Sequence, residues 1–235
     1  MAKSTLTYQQ LISLCNEYVN YFESKEGDDY ISALNNVFSL NNINDKPFTT
    51  SDIKKQPTLD QFSFDGKKDF KFVCKLHAKP MRIIKKDNKR ENEKIIADNF
   101  AGKDEQKIFN EFMGVAYMIT CPLDDKEYII KFGQTRTPFK ARLQSYNCGV
   151  VNNWRTASTT NIKILQSMVT TRKVFNLYLY DCDEHMEIVW HGVKGKVAVQ
   201  KSLVIEDVII KKFIEQFRFK PLANVQADAT GSDDK

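Results

Sequence analysis

The fold of this chain is decided by Gly114-Val-Ala-Tyr117, by Lys131-Phe-Gly133-Gln-Thr135, and by the residues from Arg142 to Tyr146. The first two stretches overlap the apolar segments 115–119 and 128–132, whose β-branched and aromatic residues predict two strands. The intervening residues 121–126 contain a proline and two aspartates, which predicts a hairpin loop. We therefore expect a β-hairpin that leads into the third stretch.

The two predicted strands place chemically useful side chains on defined faces. Successive side chains of a strand alternate between faces, so Tyr117 shares a face with Val115 and Ile119, and Ile129, Lys131 and Gly133 share a face of the second strand. If the hairpin pairs in register, Tyr117 and Lys131 converge. Taken singly, a strand tyrosine is more often a packing residue and a strand lysine more often faces solvent.

A helix is predicted directly after the hairpin. Thr137-Pro138 is a typical helix start, with threonine as N-cap and proline at the first helical position. Arg142 and Tyr146 are four residues apart, which places them on one face of that helix.

A second helix, predicted from an N-cap at Ser202 to about Phe217, carries an unusual carboxylate. Glu206 falls on the apolar face of this helix, where a carboxylate is costly unless it is paired or binds a metal. A salt bridge at the edge of the core is the alternative, and the adjacent Asp207 is predicted to lie at the surface. The apolar residues of that face are Leu203, Ile210, Phe213 and Phe217.

The remaining pattern predicts an α+β fold, with a small antiparallel three-stranded sheet flanked by helices. The third strand is expected at 174–180, and a further hairpin is expected at 187–200 around Gly192 and Gly195. Short strands are expected at 70–76 and 80–86, and helices at 7–24, 29–39, 104–112 and 159–168. Residues 1–105 are predicted to form a helical and mixed region, 106–225 a second domain that carries the stretches quoted above, and 226–235 a polar tail.

Composition narrows the class of protein. The chain has 235 residues, of which 42% are hydrophobic, so a packed core is expected. No apolar run approaches the ~20 residues of a membrane span, and the N-terminus lacks the apolar core of a signal peptide, so a soluble cytoplasmic protein is expected. The five cysteines contain no Cys-x-x-Cys pair, which argues against zinc ribbons and thioredoxin-type sites.

The net charge of +5 favours an anionic partner such as nucleic acid.

The motif-bearing half of the chain, residues 114–224, resembles a GIY-YIG nuclease domain. Gly114-Val-Ala-Tyr117 resembles the first signature with one extra residue before the tyrosine, and Lys131-Phe-Gly133 resembles the second, with lysine in place of the usual tyrosine, as in some restriction-enzyme branches. The common Gln-Thr follows, ending at Thr135. The remaining matches are Arg142 at the helical arginine, Tyr146 at a position often held by histidine, Glu206 at the metal-binding glutamate, and Pro221-Leu-Ala-Asn224 at the terminal asparagine motif.

This resemblance implies hydrolysis of a phosphodiester with one metal ion. It also implies that 106–225 is the catalytic domain and that 1–105 serves DNA recognition or dimerisation. Glu206 would hold Mg²⁺, or Mn²⁺ in its place, and Arg142 would stabilise the developing charge at phosphorus. Either Tyr117 or Lys131 would activate the water, and Tyr146 would bind the scissile phosphate or the water. Asn224, with Gly133 and Thr135, would support the site.

The expected substrate is double-stranded DNA, cut by a type II restriction enzyme that acts as a homodimer or nicks the strands in sequence. Lys163, Arg172 and Lys173 are candidate contacts to the DNA backbone, although solvated surface explains them equally well. The charged run 85–94 is expected to be a solvated loop, with a backbone contact as its alternative. Two other functions remain open, namely a non-catalytic DNA-binding or regulatory module of the same fold and a homing or repair nuclease.

Overall fold

The structure, a computed structural model, describes residues 48–79, 82–84, 89–91, 94–147, 164, 167–168, 171–182, 185–198 and 200–224. The helices predicted at 7–24 and 29–39, Lys163, most of the helix predicted at 159–168 and the tail after residue 226 lie outside these ranges.

The described helices are α1 (Thr50–Lys54), α2 (Lys103–Glu111), α3 (Phe139–Tyr146) and α4 (Lys201–Phe217), with a short 3₁₀ turn at Lys67–Asp69. The strands are β1 (Lys71–Lys79), β2 (Arg82–Ile84), β3 (Lys89–Glu91), β4 (Lys94–Asp98), β5 (Val115–Leu123), β6 (Lys126–Thr135), β7 (Phe175–Asp181), β8 (His185–Trp190) and β9 (Val193–Ala198). None of the described helices is both long and apolar enough to cross a membrane.

The central sheet has the strand order β4-β1-β7-β5-β6, and every pairing in it is antiparallel. The α+β class is thus confirmed, but the prediction of three strands is wrong. The free edge of β7 pairs with β1, for example Phe72 with Tyr178, and β1 pairs in turn with β4. The sheet therefore crosses the boundary predicted between residues 105 and 106, and the functional division at that point stays a prediction.

Two smaller ribbons pair separately from the central sheet. β2 pairs with β3, which lies inside the charged run predicted as a loop, and β8 pairs with β9. In the second ribbon the turn is at His191–Gly192, whereas Gly195 lies within β9. A run of charged residues can pair as a ribbon because strand pairing uses the backbone, which the charge pattern does not reveal.

The β5–β6 hairpin is tighter than its sequence predicts. Its turn consists of Asp124 and Asp125, whose φ angles are 50° and 61°. Two consecutive residues with positive φ form the type of turn that matches the twist of the flanking strands. The strands consequently extend into the segment 121–126 that was expected to be a loop.

A bulge in this hairpin decides which β6 side chains accompany Tyr117. Ile119 is paired with Lys131, but Thr120 is paired with Ile129, so β6 has one extra residue at Ile130. The extra residue moves Ile129 to the opposite face of the sheet, where it packs with Phe132. The expectation that Ile129 shares a face with Lys131 is therefore wrong, because alternation holds only where the register is unbroken.

The two helices at the site begin near their predicted starts, with different caps. The N-cap of α3 is Pro138 rather than Thr137, and the N-cap of α4 is Gln200 rather than Ser202. The α4 face contacts β5 and β6 through Ile209 and Phe213, both buried. Leu203, predicted for this face, is 45% exposed, whereas the preceding Ser202 is fully buried. The buried face therefore begins at Ser202 and not at Leu203.

The outer edge of β6 is covered along much of its length. At its beginning, residues 57–59 pair with it, because Pro57 accepts from Ile129 N at 3.0 Å and Leu59 N donates to Glu127 O at 2.6 Å. Further along, Ala223 N donates to Ile130 O at 3.0 Å. These contacts satisfy edge groups that would otherwise be free to pair with another chain.

Truncation of Phe213 tests this packing. Phe213 is fully buried and its ring lies 5.4 Å from that of Phe62, so Phe213→Ala is expected to destabilise the fold by about 3–5 kcal/mol. Val208→Ala on the same helix removes a half-exposed side chain and should change stability by less than about 0.5 kcal/mol. Urea unfolding followed by circular dichroism measures both, and equal losses would contradict the packing described.

Candidate active site

Tyr117 lies in the centre of the sheet, directly opposite Gly133 in the β5–β6 pairing. A Cβ atom added at Gly133 would fall far inside contact distance of the Tyr117 ring and its hydroxyl oxygen. Glycine is needed here because the ring crosses the neighbouring strand. The ring is also packed edge-on against Phe139 at the start of α3, with centroids 5.0 Å apart. Tyr117 is therefore held in one orientation, with 1% of its surface exposed.

The hydroxyl of Tyr117 is the centre of a polar cluster. It lies 2.9 Å from the hydroxyl of Tyr146, and Arg142 Nε donates to it at 3.4 Å. The guanidinium carbon of Arg142 is also 5.3 Å from the centre of the Tyr146 ring, within range of a cation–π interaction. Arg142 and Tyr146 do share one face of α3, as the four-residue spacing indicates.

The protonation of this cluster follows from its burial. Burial raises the pKa of Tyr146 well above its usual range, and the neighbouring Tyr117 adds to the rise, while Arg142 opposes it. Burial acts to lower the pKa of Arg142, but the two tyrosine oxygens more than offset this effect and the pKa rises. Tyr146 is therefore a neutral hydroxyl and Arg142 a permanent cation.

Lys131 brings a second cation towards the same site. It is diagonal to Tyr117 on the paired strands and is 6% exposed. Its ammonium donates to the backbone carbonyl of Ala223 at 3.3 Å. Burial lowers the pKa of Lys131. The positive charge of Arg142 lowers this pKa further, whereas Tyr117 and Glu206 act to raise it.

Glu206 supplies the negative charge from α4. Burial raises the pKa of its carboxyl above the usual range, Lys131 and Arg142 oppose the rise, and Asp207 adds to it. Among the described residues, no hydrogen-bond or ion-pair partner satisfies the Glu206 carboxylate. The helix start that carries it is anchored beside β6, since Ser202 Oγ donates to Gln134 Oε1 at 3.5 Å. Glu206 thus remains a half-buried carboxylate with free coordination positions.

Asn224 lies at the edge of β6 and uses both ends of its amide there. Phe132 N donates to Asn224 Oδ1 at 3.0 Å, and Asn224 Nδ2 donates to Phe132 O at 2.9 Å. The side chain therefore pairs with β6 as a backbone would. Together with the Ala223 contacts, this fixes the carbonyl that accepts from Lys131.

Thr135 is the last residue of β6 and orders the turn that follows it. Its hydroxyl lies 3.0 Å from that of Thr137 and accepts from Thr137 N at 3.2 Å, so it orders the turn from β6 into α3. Thr135 and Thr137 are thus partners of one another, which the sequence alone does not indicate.

The two described candidates for DNA contact are placed elsewhere. Arg172 is exposed, with φ of 52°, just before β7. The charge of Lys173 acts on Cys121 and Asp124, which lie towards the turn end of the β5–β6 hairpin. The structure therefore does not bring Arg172 and Lys173 to the Tyr117 cluster.

Two contributors to the site were missed in the sequence. Phe139 supports the Tyr117 ring, and Ser145 accepts from Arg142 Nη1 at 3.3 Å while donating to the Arg142 carbonyl at 2.7 Å. The position of Ser145, three residues after Arg142 on a helix, was the available signal. Phe139 gave none, because an apolar residue at a helix start is ordinary.

A metal ion at Glu206 is compatible with the donors present. No group of three or more His, Cys, Asp or Glu side chains capable of holding a metal occurs in the described ranges. Mg²⁺ commonly uses one or two carboxylates and keeps several waters alongside substrate phosphate oxygens. The unsatisfied Glu206 carboxylate fits such an open site and does not fit a closed protein cage.

Comparison with known proteins gives one structural likeness. No family model and no curated protein matches the chain. A solved structure titled "Restriction endonuclease HPY188I in complex with product DNA" is 28% identical, covers 77% of this chain and 93% of its own, and superposes with a TM-score of 0.45. The GIY-YIG resemblance stays a prediction.

Gly133→Ala tests the close approach of Tyr117. The added methyl must displace the ring or the strand, so a loss of about 1–3 kcal/mol is expected. The loss should shrink strongly in a Tyr117→Ala background, where the clashing ring is absent. Gly195→Ala is the matched control, since its Cβ would meet no atom within 4 Å. Additive effects of the two substitutions in thermal unfolding would contradict the proposed clash.

Glu206→Gln tests the burial of the free carboxylate. Because burial raises the folded-state pKa of Glu206, the contribution of this carboxyl to stability is fully present below its ordinary pKa of 4.5 and is lost as pH rises through the folded value. Glutamine mimics the protonated form. The melting temperature of the variant should therefore exceed that of the wild type at pH 8, and the difference should shrink towards pH 4. A constant difference across this range would show that the carboxylate is not desolvated.

Proposed function

We propose that the chain is a divalent-metal-dependent endonuclease that hydrolyses phosphodiester bonds of double-stranded DNA, of the sequence-specific type II restriction kind. The observation that carries the proposal is the charge of the site. Lys131 and Arg142 are two cations that are partly or fully removed from solvent. Among the described residues, Glu206 is the carboxylate whose charge acts on both of them. Such a cluster has an excess positive charge, and a phosphate group complements it.

The side chains divide the chemistry between them. Arg142 is half-buried and presents a guanidinium whose geometry suits two phosphate oxygens, so it stabilises the charge that develops at phosphorus. Tyr146, held neutral, orients the Tyr117 oxygen through their 2.9 Å contact. Tyr117 or Lys131 then positions the attacking water at the phosphate.

Glu206 would hold Mg²⁺, with Mn²⁺ as a substitute, together with water and a phosphate oxygen of the DNA. When bound, the ion supplies Lewis-acid stabilisation of the departing 3′ oxygen. The half-buried carboxylate has no hydrogen-bond or ion-pair partner among the described residues, and this supports the assignment because its oxygens are open to a ligand.

Duplex cleavage with one such site per chain requires either a homodimer or two successive nicks. The base-reading elements are expected among residues 1–105. The net charge of +5 suits a DNA substrate, and we infer that the protein acts in the cytoplasm.

A non-catalytic DNA-binding module is the second candidate, and one observation favours it. Tyr117 and Tyr146 are each 1% exposed and bond to one another, as purely structural tyrosines do. Such a module would bind DNA without hydrolysing it, whereas the endonuclease requires a substrate to reach the Tyr117 oxygen.

Cleavage of phage-length duplex DNA decides between these functions. Wild-type protein with Mg²⁺ should give discrete fragments, and EDTA should abolish them. Arg142→Ala should slow cleavage about 10²–10³-fold, and Glu206→Ala should eliminate the metal-dependent reaction. Glu215→Ala, which removes an exposed carboxylate of α4 paired with Lys212 at 3.2 Å, is the control and should cut near the wild-type rate. Tight EDTA-insensitive binding without any cut would support the binding module instead.

A further inference from the structure

A groove lies between residues 54–61 and the end of α4, with the beginning of β6 as its floor. Its volume is about 360 Å³. One wall is the segment that pairs with β6 through the bridge between Thr58 and Tyr128. The opposite wall is formed by Phe217 and Phe219, where α4 ends at Arg218 in a left-handed conformation with φ of 66°. We call this cleft the lysine groove.

The charge of the lysine groove is entirely positive. Lys54, Lys55 and Lys126 line it, and no carboxylate does. Lys54 pairs with Asp124 at 2.6 Å and Lys55 with Asp52 at 3.4 Å, both in exposed positions where ion pairs contribute little. Lys126 is exposed and has no ion pair with a described residue. An anionic ligand can therefore engage Lys126 without breaking an ion pair to any residue that the structure describes.

An aromatic surface stands opposite these cations. Phe219 is 41% exposed, and its ring is supported by Phe213 at 5.8 Å and by Phe217 at 6.4 Å. The supported ring offers a rigid apolar face beside the lysines. Cations combined with an exposed aromatic ring are the features that proteins use to hold a sugar–phosphate chain.

The distance along β6 between Lys131 and the lysine groove determines which nucleotide of a bound DNA strand the groove contacts. Tyr128 and Lys126 precede Lys131 by three and five residues on β6, which is roughly 10–16 Å at about 3.3 Å per residue. A DNA strand advances about 3.4 Å per nucleotide along the helix axis. A strand that follows β6 away from Lys131 thus reaches the groove after about three to five nucleotides.

We propose that the lysine groove binds the sugar–phosphate backbone of the cleaved DNA strand, three to five nucleotides from the phosphate at Arg142 and Glu206. This assignment rests on the proposed function, because it takes the Tyr117 cluster as the place where the strand is cut. Lys126 neutralises a phosphate and Phe219 packs against the adjacent sugar. The contact is independent of base sequence, so it contributes affinity and not specificity.

The test is the salt dependence of DNA binding, measured with a fluorescent duplex in EDTA so that no cutting intervenes. Lys126→Ala should lower the slope of log K against log salt by about 1 and weaken binding equally for unrelated sequences. Lys126→Arg should keep the wild-type slope. Phe219→Ala should weaken binding without changing the slope. The control is Lys107→Ala on α2, which removes an exposed lysine outside the groove and should leave both quantities unchanged.

The outcomes separate this inference from the proposed function. Equal slopes for wild type, Lys126→Ala and Lys107→Ala would overturn the groove assignment even if the protein cuts DNA. A lowered slope specific to Lys126→Ala, in a protein that binds but never cuts, would retain the groove and reject the nuclease. Where cutting occurs, Lys126→Ala should slow the reaction at DNA concentrations below saturation, whereas the control Lys107→Ala should cut at the wild-type rate. Equal slowing of both variants would overturn the groove assignment.

Discussion

The close approach of the Tyr117 ring to Gly133 is the constraint on which the site depends. Since position 133 has no side chain, the ring can lie across the neighbouring strand, pack against Phe139 at the start of α3 and place its hydroxyl beside that helix. There it meets Tyr146 and Arg142. A larger residue at 133 would push the ring away, and the two helix side chains would lose their common partner.

The electrostatics of the site are unfavourable for folding, and under the proposed function they serve to bind a phosphate. Burial works against the charged forms of both Lys131 and Glu206, and Arg142 adds a second positive charge nearby. A fold selected only for stability would avoid this arrangement or pair the carboxylate internally. Its presence is typical of a site whose charges are completed by a ligand, where stability is given up for function.

The sequence predicted the placement of the candidate side chains better than the sheet that carries them, and their role as an active site stays a prediction. The spacing of Arg142 and Tyr146 was sufficient because helical periodicity is regular, and Glu206 was detectable as a carboxylate on an apolar helix face. The bulge at Ile130 could not be predicted, because it shifts the pairing register without interrupting the residue pattern of β6. The pairing of β1 with β7 was also hidden, because long-range strand pairing depends on contacts that no local pattern records.

A crystal structure with uncut duplex DNA and Mn²⁺, in a Tyr117→Phe variant, tests the central claim most directly. The account predicts anomalous scattering from a metal beside the Glu206 carboxylate, with a phosphate of the DNA bridging that metal and the Arg142 guanidinium. DNA bound elsewhere on the protein, with Glu206 still unliganded at saturating metal, would contradict the account and leave the Tyr117 cluster as a structural feature of the sheet.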